Sequence, residues 1–170
     1  MRRTHNRTLI ALFALGTLLA PTLALAERWS GDGISWEVPE GWTQKQGSSD
    51  FRFAQIDLGD NLVLVVSRFG GDVGGTLANV NRWRGQLQLP PVKADELEKV
   101  TKKVKAGDAT ALMTDFTSEA GDQRMLGAIL SDEKGGRTWF FKLTGPAKAV
   151  GEREEKFRKF VESVKLDGAK

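Results

Sequence analysis

A glycine-rich loop followed by one amphipathic helix occupies residues 70–91, in the middle of the chain. Four apolar side chains recur along this helix at helical spacing: Leu77, Val80, Trp83 and Leu87. They fall on one face, so the helix needs another element to pack against. Thr76 is a candidate N-cap, and Pro90 predicts the end of the helix.

Five residues of the same helix form a candidate binding surface: Asn79, Arg82, Trp83, Arg84 and Gln86. Amide side chains both donate and accept hydrogen bonds, and arginine offers a planar fork to a carboxylate or phosphate. The loop at residues 70–75 leads into a helix N-terminus, where free amides favour an anion, but no lysine follows as in a Walker loop. The alternative stays open: Trp83 belongs to the core, and the two arginines lie on a solvated rim or pair with an acid.

The first 26 residues have the pattern of a secretory signal peptide. Three arginines at positions 2, 3 and 7 precede an apolar run over residues 9–20, and Ala24-Leu25-Ala26 is a small-x-small cleavage pattern. The apolar stretch before Pro21 is short for a bilayer span, so we expect cleavage after Ala26 and no stable membrane anchor. The sequence therefore predicts a periplasmic or secreted protein with a single domain over residues 27–170.

The charge balance of the exported part argues against nucleic acid as a partner. The whole chain has 25 basic and 22 acidic residues, and three of the basic residues lie in the leader. Removing residues 1–26 leaves equal numbers of the two signs. A net positive charge, which drives non-specific binding to phosphate backbones, is therefore lacking.

Two residue types that carry much of enzyme chemistry are missing after the leader. The only histidine is His5, and the chain has no cysteine. Serine–histidine and cysteine–histidine mechanisms are thereby excluded, as are zinc or copper sites built from imidazole or thiolate. We expect no metal, no cofactor and no disulfide.

The remaining pattern predicts strands around the central helix. We interpret residues 27–33 as an unpacked lead-in, Ile34–Val38 as a half-buried strand and Thr43–Asp50 as a loop. The segment Phe51–Ile56 alternates again, and the apolar run Leu62–Val66 indicates a central strand covered on both faces.

The second half predicts a meander and a closing helix. Residues 92–100 are ambiguous between a helical turn and the start of a strand. Three further strand candidates are joined by polar, glycine-bearing turns: 109–117, 124–130 and 138–143. Pro146 is suited to the first position of a final helix, whose apolar side chains recur at helical spacing up to Val164. The expected fold class is α+β, an antiparallel β-sheet flanked by two main helices.

Four segments resemble exported bacterial proteins with a PsbP-like fold: Ile34–Trp42, Asn79–Gln86, Trp139–Pro146 and Phe157–Lys165. That fold is named for an extrinsic subunit of photosystem II and is shared with a Ran-GTPase-binding nuclear protein. The resemblance implies an α/β/α sandwich and a function in binding. It supplies no set of catalytic residues for this chain.

Two classes of function follow from these observations. The first is an exported, non-enzymatic binding or accessory module that takes a protein partner or a small anionic ligand. The second is a carboxylate-based hydrolase, for which Asp115, Glu119 and Asp122 are the nearest candidates. The same acids lack the alternating spacing of a calcium loop. We expect the first class, and no enzyme.

Overall fold

The computed structural model describes residues 27–49 and 51–167. Its strands are β1 Glu27–Gly31, β2 Ile34–Val38, β3 Thr43–Ser49, β4 Arg52–Asp57, β5 Val63–Gly70, β6 Lys102–Ala106, β7 Ala109–Thr117, β8 Gln123–Asp132, β9 Arg137–Pro146 and β10 Lys165–Leu166. Its helices are α1 Gly75–Gln86, α2 Leu97–Val100, α3 Ala147–Gly151 and α4 Glu154–Ser163, with a 3₁₀ turn at Ala94–Glu96.

Seven strands form one antiparallel sheet in the order β3-β4-β5-β9-β8-β7-β6. The late strand β9 therefore lies between β5 and β8, and it joins the two halves of the chain. A smaller sheet has the order β1-β2-β10. The predicted antiparallel architecture is confirmed.

The two faces of the large sheet are covered by different elements. On one face, the small sheet and α4 bury a core in which Trp36 and Phe160 contact Phe141 of β9. On the other face, α1 buries Trp83 against Phe140, the next residue of the same strand. Because successive side chains of a strand point to opposite faces, one strand serves both cores. The sheet thus lies between helices, as the α+β interpretation requires.

Central strands are nearly continuous runs of apolar residues because both of their faces are covered. The prediction of a central strand at Leu62–Val66 is confirmed, since β5 pairs with both β4 and β9. Its expected covering on both faces is incomplete, because Val63 is 37% exposed. The strand is longer than its apolar run and continues to Gly70.

Two N-terminal expectations were wrong. Residues 27–31 are not an unpacked lead-in but the strand β1, and Trp29 stacks on Trp36 with 4.3 Å between ring centroids. Thr43–Ser49 is not a loop but the edge strand β3; Asp50 lies outside the described residues. An edge strand with little covering needs only backbone pairing, so its polar sequence gives no apolar signal.

The helix ends also differ from their predictions. The N-cap of α1 is Gly74 in the left-handed region, φ 83°, and Thr76 lies inside the helix. Pro146 is the last residue of β9 rather than the first of a helix, and the final helix is divided into α3 and α4. Residues 92–100 resolve into the 3₁₀ turn and α2, and the following lysines begin β6.

Across residues 27–49 and 51–167, no helix has the length and apolar character needed to cross a membrane. The predicted leader, residues 1–26, and its cleavage after Ala26 lie outside the described residues.

Candidate functional site

Helix α1 covers one part of its face of the large sheet and leaves a cleft of about 570 Å³ beside it. The floor of this cleft is formed by β5 and β9: Val65, Ser67, Phe69, Phe140 and Lys142. These residues share a face because they alternate along their strands. Register sets Lys142 opposite Val65 and Phe140 opposite Ser67.

The helical wall of the cleft consists of Asn79, Arg82 and Trp83. Asn79 is buried, and its Nδ2 donates to the carbonyls of Gly75 (2.8 Å) and Val73 (3.2 Å). Its Oδ1 accepts a hydrogen bond from Nη1 of Arg82. The side chain of Asn79 therefore forms its hydrogen bonds within the protein, and one of them positions the guanidinium of Arg82 at the cleft.

The outer wall consists of the end of β3, the turn and the start of β4, which contribute Ser48, Ser49, Phe51 and Arg52. Phe51 is 68% exposed and packs on Phe69, with ring centroids 5.6 Å apart. The two walls and the floor together are called the cationic cleft below.

Three cationic side chains from three different elements line this cleft: Arg52 from β4, Arg82 from α1 and Lys142 from β9. Among the described residues, no acid lines the cleft, and none lies within ion-pair distance of these three cations. Burial first, and then the neighbouring Arg52, lower the pKa of Lys142 below its ordinary value of 10.5. The cleft thus brings together one half-buried cation, Lys142, and two exposed ones, Arg52 and Arg82.

The five residues proposed from the helix do not all meet. Gln86 lies beside the cleft, where its Oε1 accepts from Nζ of Lys142 at 3.1 Å. Arg84 is elsewhere, because its Nε donates to the carbonyl of Pro90 (2.8 Å) and its guanidinium lies 5.3 Å from the ring of Phe116. Including Arg84 in the binding surface is therefore not supported by its position.

Trp83 is both a core residue and part of the lining of the cationic cleft. It is 6% exposed, packs edge-to-face on Phe140 at 6.0 Å, and presents its remaining edge to the cleft. The core interpretation and the binding interpretation of this residue are thus compatible.

The glycine loop has an internal acceptor for its amides. The amide of Gly74 donates to Oδ1 of Asp72 (3.2 Å), and the amide of Gly75 donates to the carbonyl of the same residue (3.0 Å). These two amides of residues 70–75 are therefore used within the chain rather than left free for an external anion.

Sequence reasoning missed Phe51, Arg52, Phe69 and Lys142, which are distant from α1 along the chain. One signal was present: Lys142 is a single charge inside the apolar run Trp139–Leu143. A lysine on a central strand is unusual, because charged residues are seldom buried without a partner.

The carboxylates considered for hydrolysis have partners of their own. Asp115 accepts from Nε (2.7 Å) and Nη2 (2.5 Å) of Arg124, which also donates to Glu154 at 2.6 Å. Asp122 accepts from the hydroxyl of Ser118 (2.8 Å), and Glu119 is exposed. Among the described residues, no three carboxylates come together as a group able to hold a metal ion.

A larger cavity of about 710 Å³ opens on the opposite side, between β1 and β3. Its charges are largely compensated, since Asp32 pairs with Arg68 and lies 3.5 Å from Arg137. This cavity is therefore larger than the cationic cleft but lacks its excess of positive charge.

No protein-family model matches the chain, and no curated protein matches it. Among solved structures, it is similar to the cyanobacterial PsbP (CyanoP) of Synechocystis sp. PCC 6803, with a TM-score of 0.57 and 15% identity over 89% of this chain and 98% of that one. A Bacteroides thetaiotaomicron protein gives a TM-score of 0.48 and 13% identity over 84% of this chain and 48% of that one. LpqN of Mycobacterium tuberculosis, described as involved in cell envelope biogenesis, gives 0.47 and 15% over 78% and 82%. The likeness to CyanoP shows that this chain has a PsbP-like fold.

Proposed function

We propose that the protein is an exported, non-enzymatic binding module that holds a small organic anion in the cationic cleft. The observation that carries this proposal is the convergence of Arg52, Arg82 and Lys142 on one cavity without a facing acid among the described residues. The export part rests on the leader pattern of residues 1–26.

Electrostatics explains why such a cleft favours an anion. Burial, and after it the charge of Arg52, disfavour the ammonium form of Lys142 and lower its pKa. A bound carboxylate or phosphate would offset that cost and accept hydrogen bonds from the arginine forks. The volume of about 570 Å³ is in the range of small-molecule sites.

The residues of the cleft support binding rather than turnover. The chain after the leader contains no histidine or cysteine, and the carboxylates proposed for hydrolysis lie outside the cleft lining. The cleft thus offers donors and apolar surface. A hydrolytic function would need Asp115 freed from Arg124, to which it is bound through both oxygens.

The thermal unfolding midpoint of the purified protein tests the proposal against a panel of organic carboxylates, sulfonates and phosphate monoesters. An anion at a hundred times its dissociation constant should stabilise the protein by about 2.7 kcal/mol. A midpoint that responds to none of these anions contradicts the proposal and favours a protein partner.

Two arginines on the same helix provide a matched pair of variants. Arg82→Gln removes a cation of the cleft, whereas Arg84→Gln removes one that lies against Phe116. We expect the first change to weaken anion binding about tenfold or more and the second to leave it within about twofold, because a charge-assisted hydrogen bond contributes on the order of 1.5–3 kcal/mol. Equal effects of the two changes would place the site elsewhere.

A further inference from the structure

We propose that the anion is amphiphilic, with an acidic head at Lys142 and Arg52 and an apolar body that extends along Phe140 and Phe69 to Phe51. This inference rests on the proposed function, since it names the ligand class of the same cleft. It adds a direction and a length to the ligand, which the charges alone do not specify.

The head end is defined by contacts around Lys142. Its Nζ donates to Oε1 of Gln86, and Arg52 is close enough to affect its titration. Gln86 is neutral, so the charge of the ammonium stays uncompensated by this contact. Lys142 is half-buried, whereas Arg52 is exposed. An anion beside Lys142 would offset the repulsion between the two cations.

The body of the ligand would lie along a row of aromatic rings, of which Phe69 and Phe51 are more exposed than Trp83 and Phe140. Ring centroids follow one another from Trp83 to Phe140 (6.0 Å), from Phe140 to Phe69 (5.7 Å) and from Phe69 to Phe51 (5.6 Å). Neighbouring rings in this strip are tilted or edge-on, which is the preferred geometry of aromatic pairs. The strip begins at the helical wall and ends at the mouth of the cleft.

Strand register gives the length. Phe69 of β5 pairs with Thr138 of β9, four residues from Lys142 on the same strand. At about 3.3 Å per residue, these two rows are about 13 Å apart. A small ion such as phosphate would occupy only the Lys142 end of this distance. A fatty acid or a fused aromatic acid would extend over most of it.

The exposed ring at the mouth fits the same ligand. Two large apolar side chains of the described residues are exposed, and Phe51 (68%) is the more exposed, ahead of Val63 (37%). Phe51 packs against Phe69 at the cleft. An apolar ligand body in the cleft would therefore bury the ring of Phe51 without a change of fold. Burying apolar area contributes about 25 cal/mol per Å², which favours a ligand with such a body.

Four probes separate the head from the body: 2-naphthoate, decanoate, acetate and the uncharged 2-naphthamide. Binding is measured by calorimetry on the purified protein at low ionic strength. We expect 2-naphthoate or decanoate to bind at least tenfold more tightly than both acetate and 2-naphthamide. The tighter of the two long acids shows whether the natural body is aromatic or acyl.

A pair of surface variants tests the strip. Phe51→Ser removes the ring at the mouth, and Val63→Ser removes an exposed apolar side chain of β5 that does not line the cleft. The first change should weaken binding of the better long acid at least threefold, and the second should leave it within about twofold. Thermal midpoints of both variants show that each is folded.

The results distinguish the two levels of the proposal. If acetate binds as tightly as the long acids and Arg82→Gln still removes binding, the cleft holds anions but the amphiphile inference is wrong. If 2-naphthamide binds as tightly as 2-naphthoate, the acidic head is wrong. If none of the four probes binds but a sulfonate or phosphate monoester raises the thermal midpoint, the amphiphile inference is wrong and the proposed function stands. If no anion of either set binds, both are wrong.

Discussion

Trp83 of α1 lies directly on Gly127 of β8. A Cβ at Gly127 would come 2.3 Å from Cζ3 of the indole and 2.7 Å from the hydroxyl oxygen of Thr114. This close approach sets the distance between α1 and the sheet. Since Trp83 also forms the wall of the cationic cleft, the packing of one glycine determines the shape of the site.

Gly127→Ala should therefore destabilise the protein by about 1–3 kcal/mol, because an added methyl group in a filled core forces the indole aside. The measurement is denaturant unfolding at equilibrium. Gly85→Ala is the matched control, since nothing lies within 4 Å of the added atom. It should leave the stability unchanged or raise it by at most about 0.5–1 kcal/mol, the value for a helix interior, because Gly85 is the last residue but one of α1. A neutral Gly127→Ala would show that the helix is not held at this distance.

Anion binding should weaken as the pH rises. Burial, and then Arg52, lower the pKa of Lys142 below 10.5, so its ammonium loses its proton in the pH range below that value. A bound anion favours the charged form, and affinity for 2-naphthoate must fall as the proton leaves. Calorimetry across this window checks the slope, and Lys142→Gln should bind weakly with little slope. A wild-type affinity that stays constant would contradict a role for this ammonium.

Lys142→Met should weaken anion binding, as Lys142→Gln does, while leaving the thermal midpoint at neutral pH unchanged or higher. A lowered lysine pKa means that the unfolded chain holds the proton more tightly, so the charge opposes folding below the folded-state pKa and ceases to do so as the pH rises to 10.5. Removing the charge removes that cost. Lys45→Met, on the exposed strand β3, should leave anion binding unchanged. A clear fall in the midpoint of Lys142→Met would assign the lysine a structural role.

Arg124→Gln should destabilise the protein by about 1 kcal/mol, after allowing for partial exposure of its ion pairs. Its guanidinium joins Asp115 of β7 to Glu154 of α4, and the hydrogen bond to Asp115 raises the pKa of Arg124. Arg158→Gln should have a smaller effect, because Arg158 pairs only within the surface of α4, with Glu155 and Glu162. Chemical denaturation of the two variants side by side makes the comparison. The prediction is wrong if the two variants lose the same free energy of unfolding.

Periodicity predicted the buried faces well. The spacing of Val80, Trp83 and Leu87 placed them on the packed side of α1, and all three are buried. Leu77, on the same predicted stripe, is only half-buried. Periodicity could not predict that Asn79 is buried, because its place depends on two backbone carbonyls rather than on apolar spacing.

The edge strand β3 and the ends of the helices were predicted least well from the sequence. The strand β3 and the cap at Gly74 depend on backbone pairing and on a positive φ, which leave little trace in polarity. Likewise, Pro146 belongs to β9 rather than to a helix because the pairing of β9 with β8 extends as far as this residue.

By itself, the sequence determined that the chain alternates strand-forming segments with two helical regions and that, after residue 26, it has no imidazole or thiol for catalysis. These properties are local, because they depend on spacing within a segment or on composition. Only the tertiary structure decided that Lys142, Arg52 and Arg82 share one cleft and that Arg84 does not. Strand order and register arise from pairings between distant segments, and β9 enters between β5 and β8 only when the whole sheet is assembled.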